Sequence, residues 1–233
     1  MKLTKERIVD AGMATFAETG YHGLSMRQVA DRLGAHAGSL YYHVRGKDEL
    51  LALMADRVCR HAYDAAGTAL AALPPDATWQ DRIETQATEL RRSLLRHPGG
   101  ALLLADSPGT LSTGALSLME RLLATFVGAG VPVDDAGIAA DTLLSHVTGF
   151  VLQERPEERG AEERGAADDK SPGAAPPPVT AEVYADLCAR FPLVMEQMPR
   201  LGQDEKFRRS VRLLCTAFRS LPSDGPASPA GTA

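Results

Sequence analysis

A glycine between two short helical patterns constrains the fold of this chain more than any other feature. Ser25 is followed three residues later by Gln28, a capping-box spacing in which each side chain can bond a free backbone N–H at the start of a helix. The helix that begins near Met26 should end at Gly34, because glycine readily takes the left-handed conformation that turns the chain. A second helix of about two turns follows, so residues 25–47 favour a helix-turn-helix unit.

The second helix of this unit should carry an unusual polar and aromatic surface. Leu40 and Val44 are expected to point to the core. The residues left on the surface are Ala37, Gly38, Ser39, Tyr41, Tyr42 and His43. Hydroxyl and imidazole groups can bond phosphate oxygens, and aromatic faces can pack on sugars or thymine methyl groups, so this surface suits DNA. The alternative that spacing leaves open is a helical hairpin whose tyrosines are buried.

Three segments complete the N-terminal pattern: a leading helix at residues 4–19, the segment 20–27, and the run Gly-Ser-Leu-Tyr-Tyr-His-Val at residues 38–44. Together they resemble the N-terminal domain of TetR-family transcriptional regulators. The resemblance implies a three-helix DNA-binding domain whose third helix lies in the major groove. It also implies contacts near base edges by Arg27, Ala37, Gly38 and Ser39, and contacts mostly to phosphates by Tyr41, Tyr42, His43 and Lys47. Ala37 and Gly38 have almost no side chain, so base readout would rest chiefly on Arg27, Ser39 and Tyr42.

The charge distribution agrees with DNA contact at one end of the chain. Residues 1–60 carry a formal net charge of +2, whereas the remainder carries −7. A DNA-binding protein with an overall charge of −5 needs its positive charge focused near the duplex, and a second copy of the domain doubles the phosphate contacts. We therefore expect a homodimer on a palindromic double-stranded DNA operator.

Several other classes of protein lack support in the sequence. Cys59, Cys188 and Cys215 have no metal-ligand spacing, and no signal peptide is recognised, which favours a reducing cytoplasm. No apolar run approaches the roughly 18 residues that span a bilayer, so no membrane partner is expected. A Gly-rich phosphate loop, a nucleophile elbow and a histidine–carboxylate cluster are all missing, so we expect no enzyme, no cofactor and no metal site. A helical dimeric adaptor that binds proteins without specific DNA binding is the alternative class.

The rest of the chain is helical in pattern, which predicts an all-α fold. A helix-turn-helix DNA-binding domain at residues 1–47 would precede a helical ligand-binding and dimerisation domain at residues 48–219. Predicted helices cover 48–73, 79–97, 112–127 and 134–154, with later helices beginning at Thr180 and near Asp204. A disordered loop is predicted at 155–178 and a disordered tail at 220–233, because both segments have almost no large apolar residue.

An apolar seam near the C-terminus predicts a dimer interface. Phe207, Val211, Leu214 and Phe218 fall at i, i+4, i+7 and i+11, and this seam would stay partly exposed unless another subunit covered it. Pairing it with residues 138–154 of both chains would give a four-helix interface. The alternative is that the seam packs within one chain.

Beyond residue 48 the chain resembles the tetracycline-repressor branch of the TetR family, through Trp79 and Gln80, the segment 91–96 and the segment 145–149. The resemblance implies a small-molecule pocket enclosed by residues 48–154, and release of repression when an effector binds there. Leu104 and Leu90 stand where that branch has its magnesium-binding histidine and a pocket phenylalanine, so magnesium–tetracycline is not the expected effector.

The residues expected to bind the effector are the polar His61, Gln86 and Ser107 and a large apolar wall of Leu90, Leu104, Met119, Phe126 and Phe150. Gln86 and Ser107 would orient a polar ligand, unless they simply face solvent. His61 and His146 are either ligand contacts or structural residues, and the sequence leaves both readings open.

Overall fold

The computed structural model describes residues 3–106, 112–154, 180–197 and 202–219. Within these ranges the secondary structure is helical and no strand is present, which confirms the all-α prediction. The helices are α1 (Lys5–Gly23), α2 (Met26–Leu33), α3 (Ala37–Leu40), α4 (Lys47–Ala71), α5 (Trp79–Arg96), α6 (Gly100–Asp106), α7 (Thr113–Gly128), α8 (Val133–Glu154), α9 (Ala181–Arg190), α10 (Pro192–Gln197) and α11 (Gln203–Arg219). No helix in these ranges is both long and apolar enough to cross a bilayer.

The start and end of α2 follow from two residues. The Ser25 hydroxyl accepts a hydrogen bond from the Gln28 backbone N–H at 3.3 Å and donates one to Gln28 Oε1 at 2.9 Å. The predicted reciprocal box is thus half formed, because the Gln28 side chain meets the hydroxyl instead of the Ser25 backbone. Gly34 ends the helix in the left-handed conformation, with φ 63° and ψ 34°, as predicted.

The third helix is shorter than the two turns expected from the sequence. It spans four residues, Ala37–Leu40, and continues as a turn in which the Leu40 carbonyl accepts hydrogen bonds from His43 N and Val44 N, both at 2.9 Å. The buried side chains of Leu40 and Val44 anchor the two ends of this turn. The residues between them therefore face away from the core.

Two apolar clusters share the long helix α4. The first cluster gathers buried side chains of α1 to α4, including Ile8, Phe16, Val29, Leu40 and Leu50. The second gathers side chains of α4, α5, α7, α8 and α11, including Val58, Ile83, Leu94, Phe126 and Val147. Since α4 contributes side chains to both clusters, a displacement of this helix would change the packing of both.

The short helix α6 is absent from the helices predicted from the sequence. Its Ala101 belongs to the second cluster, whereas Leu103 belongs to the first. Seven residues are too few for a helical period to be recognised in sequence. This helix joins the two clusters beside α4.

The C-terminal seam packs within one chain, so the expectation that it remains partly exposed for a second subunit is wrong. Phe207, Val211 and Phe218 are buried against α5 and α8, and Leu214 is partly buried. The ring centroids of Phe207 and His146 lie 6.1 Å apart in a stacked arrangement. Buried residues of α5 and α8, such as Leu94 and Val147, belong to the same cluster as the seam and cover it.

The later helices begin near the positions expected from the sequence. Thr180 caps α9, with its side chain accepting from Val183 N at 3.3 Å, and α11 begins at Gln203. The predicted disordered loop at 155–178 and the predicted tail at 220–233 lie outside the described residues, so both stay predictions.

Candidate DNA-binding surface and ligand cavity

The turn after α3 presents two tyrosines to solvent. Tyr42 is 92% exposed and Tyr41 is 52% exposed, while Leu40 and Val44 on either side are buried. The alternative of a helical hairpin with buried tyrosines is therefore excluded. Large aromatic side chains left in solvent beside a well-packed core are characteristic of a contact surface.

The eight residues expected to contact DNA lie on α2, on α3 and on the segment that leads into α4. Five of these residues are exposed: Arg27, Gly38, Tyr41, Tyr42 and His43. The other three are partly buried: Ala37, Ser39 and Lys47. Helices α2 and α3 pack against each other, so one small structural unit carries the whole set. We call this set the DNA surface.

Lys47 has a structural partner that the sequence did not indicate. Its Nζ donates a hydrogen bond to the Tyr21 carbonyl at 2.7 Å and lies 4.6 Å from the centroid of the Tyr21 ring. The ammonium group therefore fastens the start of α4 to the last turn of α1. Two of its three donors remain for a phosphate.

Glu49 stabilises the same corner and was missed in the sequence. Its carboxylate accepts from Arg45 N at 2.7 Å and from Lys5 Nζ at 3.1 Å. These hydrogen bonds, the first from the backbone and the second from the lysine, hold the pKa of Glu49 below its ordinary value. The sequence feature that could have indicated this role is the position of Glu49 in the first turn of α4, where a carboxylate can cap free backbone N–H groups.

A cavity lies between α4, α5, α7 and α8, where the ligand pocket was expected. Its wall is formed by Ala62, Tyr63, Ala66, Gln86, Ala87, Leu90, Leu118, Arg121, Leu122, Leu143, Leu144 and Val147. Its volume is about 10 Å³, which holds one water molecule at most. The large apolar pocket expected from the sequence is therefore closed in this structure, because leucine and valine side chains from α5, α7 and α8 meet across it.

The polar groups of the cavity form one connected set. Gln86 Nε2 donates to Thr125 Oγ1 at 3.0 Å, and Thr125 Oγ1 donates to the Arg121 carbonyl at 2.8 Å. Arg121 Nη1 donates to the Tyr63 carbonyl at 2.7 Å, and its guanidinium carbon lies 3.3 Å from the centroid of the Tyr63 ring. Sequence reasoning missed Arg121 and Tyr63. The available signal was the single arginine of α7, which lies within a mostly apolar stretch.

Of the residues expected to bind a ligand, Gln86 and Leu90 lie in this wall. Phe126 and Phe150 lie instead among the aromatic rings of the second cluster, in contact with Phe218 and Phe207 respectively. Leu104 and Met119 pack partly buried at the margin of that cluster, and Ser107 lies outside the described residues. These side chains do not belong to the cavity wall. Their contact with a ligand therefore stays a prediction.

His61 lies outside the cavity wall and pairs with a second histidine. Its Nδ1 is 3.1 Å from His97 Nε2, and His97 Nδ1 is 2.7 Å from the Ser93 carbonyl. Because the carbonyl requires a proton on His97 Nδ1, His97 Nε2 accepts and His61 donates. Burial first, and then the electrostatic influence of His97, Arg57 and Arg96, lower the pKa of His61.

His146 is likewise held by a neighbouring side chain. Its Nε2 lies 2.7 Å from Ser210 Oγ, whose hydroxyl donates to the Phe207 carbonyl at 2.8 Å, so the imidazole donates to the hydroxyl. Burial lowers the pKa of His146. Its ring joins α8 to α11.

The turn between α5 and α6 connects the helix that lines the cavity to the N-terminal helices. Gly99, at φ 72°, lies against the buried ring of Phe16 in α1. Ser93 in the preceding helix donates its hydroxyl to the Val58 carbonyl at 3.0 Å. The turn that follows α5 thus contacts the first cluster, while the middle of α5 lines the cavity.

Two family descriptions match the chain. "Bacterial regulatory proteins, tetR family" matches residues 8–54, and "Tetracyclin repressor-like, C-terminal domain" matches residues 71–215. The first match includes the DNA surface, and the second includes the part of the cavity wall on α5, α7 and α8 and most of α11.

Individual relatives agree with these matches. An HTH-type transcriptional regulator from Saccharopolyspora erythraea is 36% identical over 152 residues, which are 65% of this chain and 61% of that relative. More than a third of that relative is therefore unmatched. The class D tetracycline repressor protein from Escherichia coli is 31% identical over 176 residues, 73% of this chain and 75% of the repressor.

Solved structures share the fold. The crystal structure of a possible TetR family transcriptional regulator from Streptomyces coelicolor A3(2) has a TM-score of 0.69 and 26% identity, covering 93% of this chain and 98% of that one. ActR from Streptomyces coelicolor in complex with actinorhodin has a TM-score of 0.71 and 23% identity, covering 94% and 98%. At the latter identity the likeness concerns the fold alone.

Proposed function

Because the chain belongs to the TetR family of bacterial transcriptional regulators, we propose that it is a homodimeric repressor that leaves its operator when a small molecule binds. The observation that carries the DNA-binding part is the solvent-exposed Tyr42 between the buried anchors Leu40 and Val44. The buried neighbours fix the backbone on either side of Tyr42, so its side chain can contact a duplex without leaving a packed core.

The DNA surface supports a division of roles within this proposal. Arg27, Ser39 and Tyr42 would approach base edges, whereas Tyr41 and His43 would approach phosphates. Lys47 would add a phosphate contact with the donors that Tyr21 leaves free. Its fixed position would orient the recognition turn towards the backbone of the duplex.

Exposed apolar side chains on α8 and α11 support the homodimer, although the seam itself does not. Ile138 on α8 is 63% exposed and Leu213 on α11 is 71% exposed. The space beside Gly149 on α8 is open, so another helix can approach the backbone there. A twofold dimer would offer two recognition turns to a palindromic operator. The proposed location of this regulator is the cytoplasm.

The closed cavity supports release by an effector. A ligand larger than a water molecule needs α4, α5, α7 or α8 to move before it fits, since the wall encloses about 10 Å³. Movement of α5 would reach the DNA-binding helices through the contact between Gly99 and Phe16. The effector would thereby favour the conformation that does not fit the operator.

DNA binding by the purified chain tests this proposal directly. Fluorescence anisotropy would compare DNA from the region flanking its own gene with scrambled DNA of equal length, at salt concentrations from roughly 50 to 300 mM. We expect selective, salt-sensitive binding that Tyr42→Ala weakens by about tenfold or more. Tyr184→Ala, a half-exposed tyrosine on α9, is the matched control and should bind normally.

A genome-wide binding selection would separate a distant operator from a failed proposal. Recovery of one enriched sequence, sensitive to Tyr42→Ala, supports a regulator whose operator lies elsewhere. Recovery of no enriched sequence at near-physiological salt contradicts the proposal and favours the protein-binding adaptor.

A further inference from the structure

A surface groove opens next to the closed cavity, between α4, α5 and α7. Its volume is about 410 Å³, within the range of small-molecule sites. It is lined by Leu70, Trp79, Arg82, Arg121, Ala124, Thr125 and Gly128. The groove therefore offers two guanidinium groups, one indole and one hydroxyl, and its lining includes no carboxylate.

Neither guanidinium group of the groove forms an ion pair with an acidic side chain in the part of the chain that the structure describes, where the neighbouring carboxylates pair with Arg212. Arg121 bonds the Tyr63 carbonyl, which carries no net charge. The two acidic residues nearest Arg82 in α5 face another way, because Arg212 of α11 pairs with Glu84 at 2.6 Å and with Asp81 at 3.3 Å.

Two partly buried arginines without counter-ions make a favourable position for an anion. A guanidinium group binds a carboxylate through parallel N–H donors, and such charge-assisted bonds are stronger than neutral ones. The indole of Trp79 supplies a flat apolar surface beside them. These groups together match a molecule that is planar and apolar at one end and negatively charged at the other.

We propose that this groove binds an aromatic carboxylate, with its carboxylate on Arg82 and Arg121 and its ring system on Trp79. The groove shares Arg121 and Thr125 with the structure around the cavity, since Arg121 lines both and Thr125 bonds Gln86. A carboxylate that draws Arg121 away from Tyr63 opens the wall between them. This last consequence rests on the proposed function, because it makes the groove the entrance for the effector.

Binding of a simple probe tests the site without DNA. The full chain would be titrated with 2-naphthoate and with its neutral counterpart 2-naphthamide by calorimetry. Fluorescence of Trp79, the single tryptophan of the chain, would report whether the probe reaches the groove. We expect 2-naphthoate to bind at least about tenfold more tightly than 2-naphthamide and to change the Trp79 emission.

Charge-removing variants locate the site. Arg82→Gln and Arg121→Gln should each weaken 2-naphthoate binding by about tenfold or more while changing 2-naphthamide binding by less than about twofold. Arg209→Gln removes the same charge from the exposed surface of α11, where Arg209 pairs with Glu205, and should bind as the wild type does. If Arg121→Gln fails to fold, Arg82→Gln decides the matter, because the Arg82 side chain makes no ion pair within the described residues.

Three results would overturn the proposal: no binding of 2-naphthoate, equal binding of both probes, or equal weakening by Arg209→Gln. None of these depends on DNA. Operator binding by the wild type, measured separately, would distinguish a failed groove proposal from a failed regulator proposal, because only the latter predicts that the wild type does not bind DNA selectively.

Discussion

Gly99 lies directly against the ring of Phe16, so that a Cβ atom added to Gly99 would overlap the edge of that ring. Phe16 belongs to α1 and is buried in the first cluster, whereas Gly99 ends the turn that leaves α5. The contact joins the helix that lines the cavity to the helices that carry the DNA surface.

Replacing Gly99 by alanine should damage this contact. Gly99→Ala combines the overlap with a positive φ of 72°, and we expect it to lower the free energy of unfolding by about 1–3 kcal/mol and to weaken operator binding. Chemical denaturation and fluorescence anisotropy would measure the two effects. Gly130→Ala is the matched control, because Gly130 has a φ of 90° but open space around it. An equal loss in both variants would mean that backbone strain alone is responsible.

Lys47 and Tyr42 should differ in their contribution to the free energy of unfolding. Lys47→Ala removes the bond to the Tyr21 carbonyl, so it should lower the free energy of unfolding by about 1 kcal/mol as well as weaken DNA binding. Tyr42→Ala should leave that free energy within about 0.5 kcal/mol of the wild type, because the side chain is almost wholly in solvent. Thermal denaturation of both variants distinguishes the cases. Unchanged stability in Lys47→Ala would show that the bond to Tyr21 contributes nothing.

The ion pair between Arg91 and Glu154 is the most buried one that the structure describes. Two hydrogen bonds, at 2.5 and 2.8 Å, join the guanidinium to the carboxylate, and both side chains are 9% exposed. Arg91→Met should cost about 3–5 kcal/mol, because it leaves the carboxylate buried without a partner. The double variant Arg91→Met/Glu154→Leu should cost less than Arg91→Met alone. Urea denaturation of the set would measure these differences.

Asp204 provides the control for that pair. It also bonds Arg91, at 2.7 Å, but its side chain is 84% exposed. Asp204→Asn should therefore change the free energy of unfolding by less than about 0.5 kcal/mol. A loss as large as that of Arg91→Met would mean that the exposed bond, and not burial, determines the energy.

The paired histidines should make stability depend on pH. The pKa of His61 is lower in the folded chain than its ordinary value of 6.5, so the unfolded chain binds the proton more tightly. The corresponding stability is complete above about pH 6.5 and is lost as the pH falls below that value. Melting temperatures measured from about pH 5 to pH 8 should fall less steeply at the acidic end for His61→Gln than for the wild type.

A second histidine variant separates His61 from the other titrating groups. The pKa of His146 is also lowered by burial, so the relevant quantity is the difference between each variant and the wild type. His22→Gln, at an exposed position, should follow the wild-type curve. Parallel curves for His61→Gln and the wild type would contradict the assigned role of His61.

The helix-turn-helix could be predicted because its signals are local. Ser25 and Gln28 are three residues apart, and Gly34 alone decides the left-handed turn. Apolar spacing also predicts that Leu40 and Val44 point inwards and Tyr42 outwards. Each inference needs only one helix and its ends.

The cavity and the C-terminal seam could not be predicted to the same depth. Leu122 lines the cavity whereas Phe126, one turn further along α7, is enclosed by rings from other helices. Periodicity shows that a face is apolar but not which neighbour covers it, so the seam at Phe207 was assigned to a second subunit. Arg121 acquires its role from Tyr63, 58 residues away, and no local pattern contains that relationship.

The small volume of the cavity affects the ligand concentration that binding requires. Because the closed cavity has a volume of only about 10 Å³, a ligand can bind only those protein molecules in which the cavity wall has opened. The measured Kd is then the intrinsic Kd divided by the fraction of open protein. If the chain is the effector-responsive repressor proposed above, Leu143, buried in that wall, would set a threshold: shortening it would raise the open fraction and let a reporter respond to less inducer. A packing defect that weakens most proteins would here produce a more sensitive sensor.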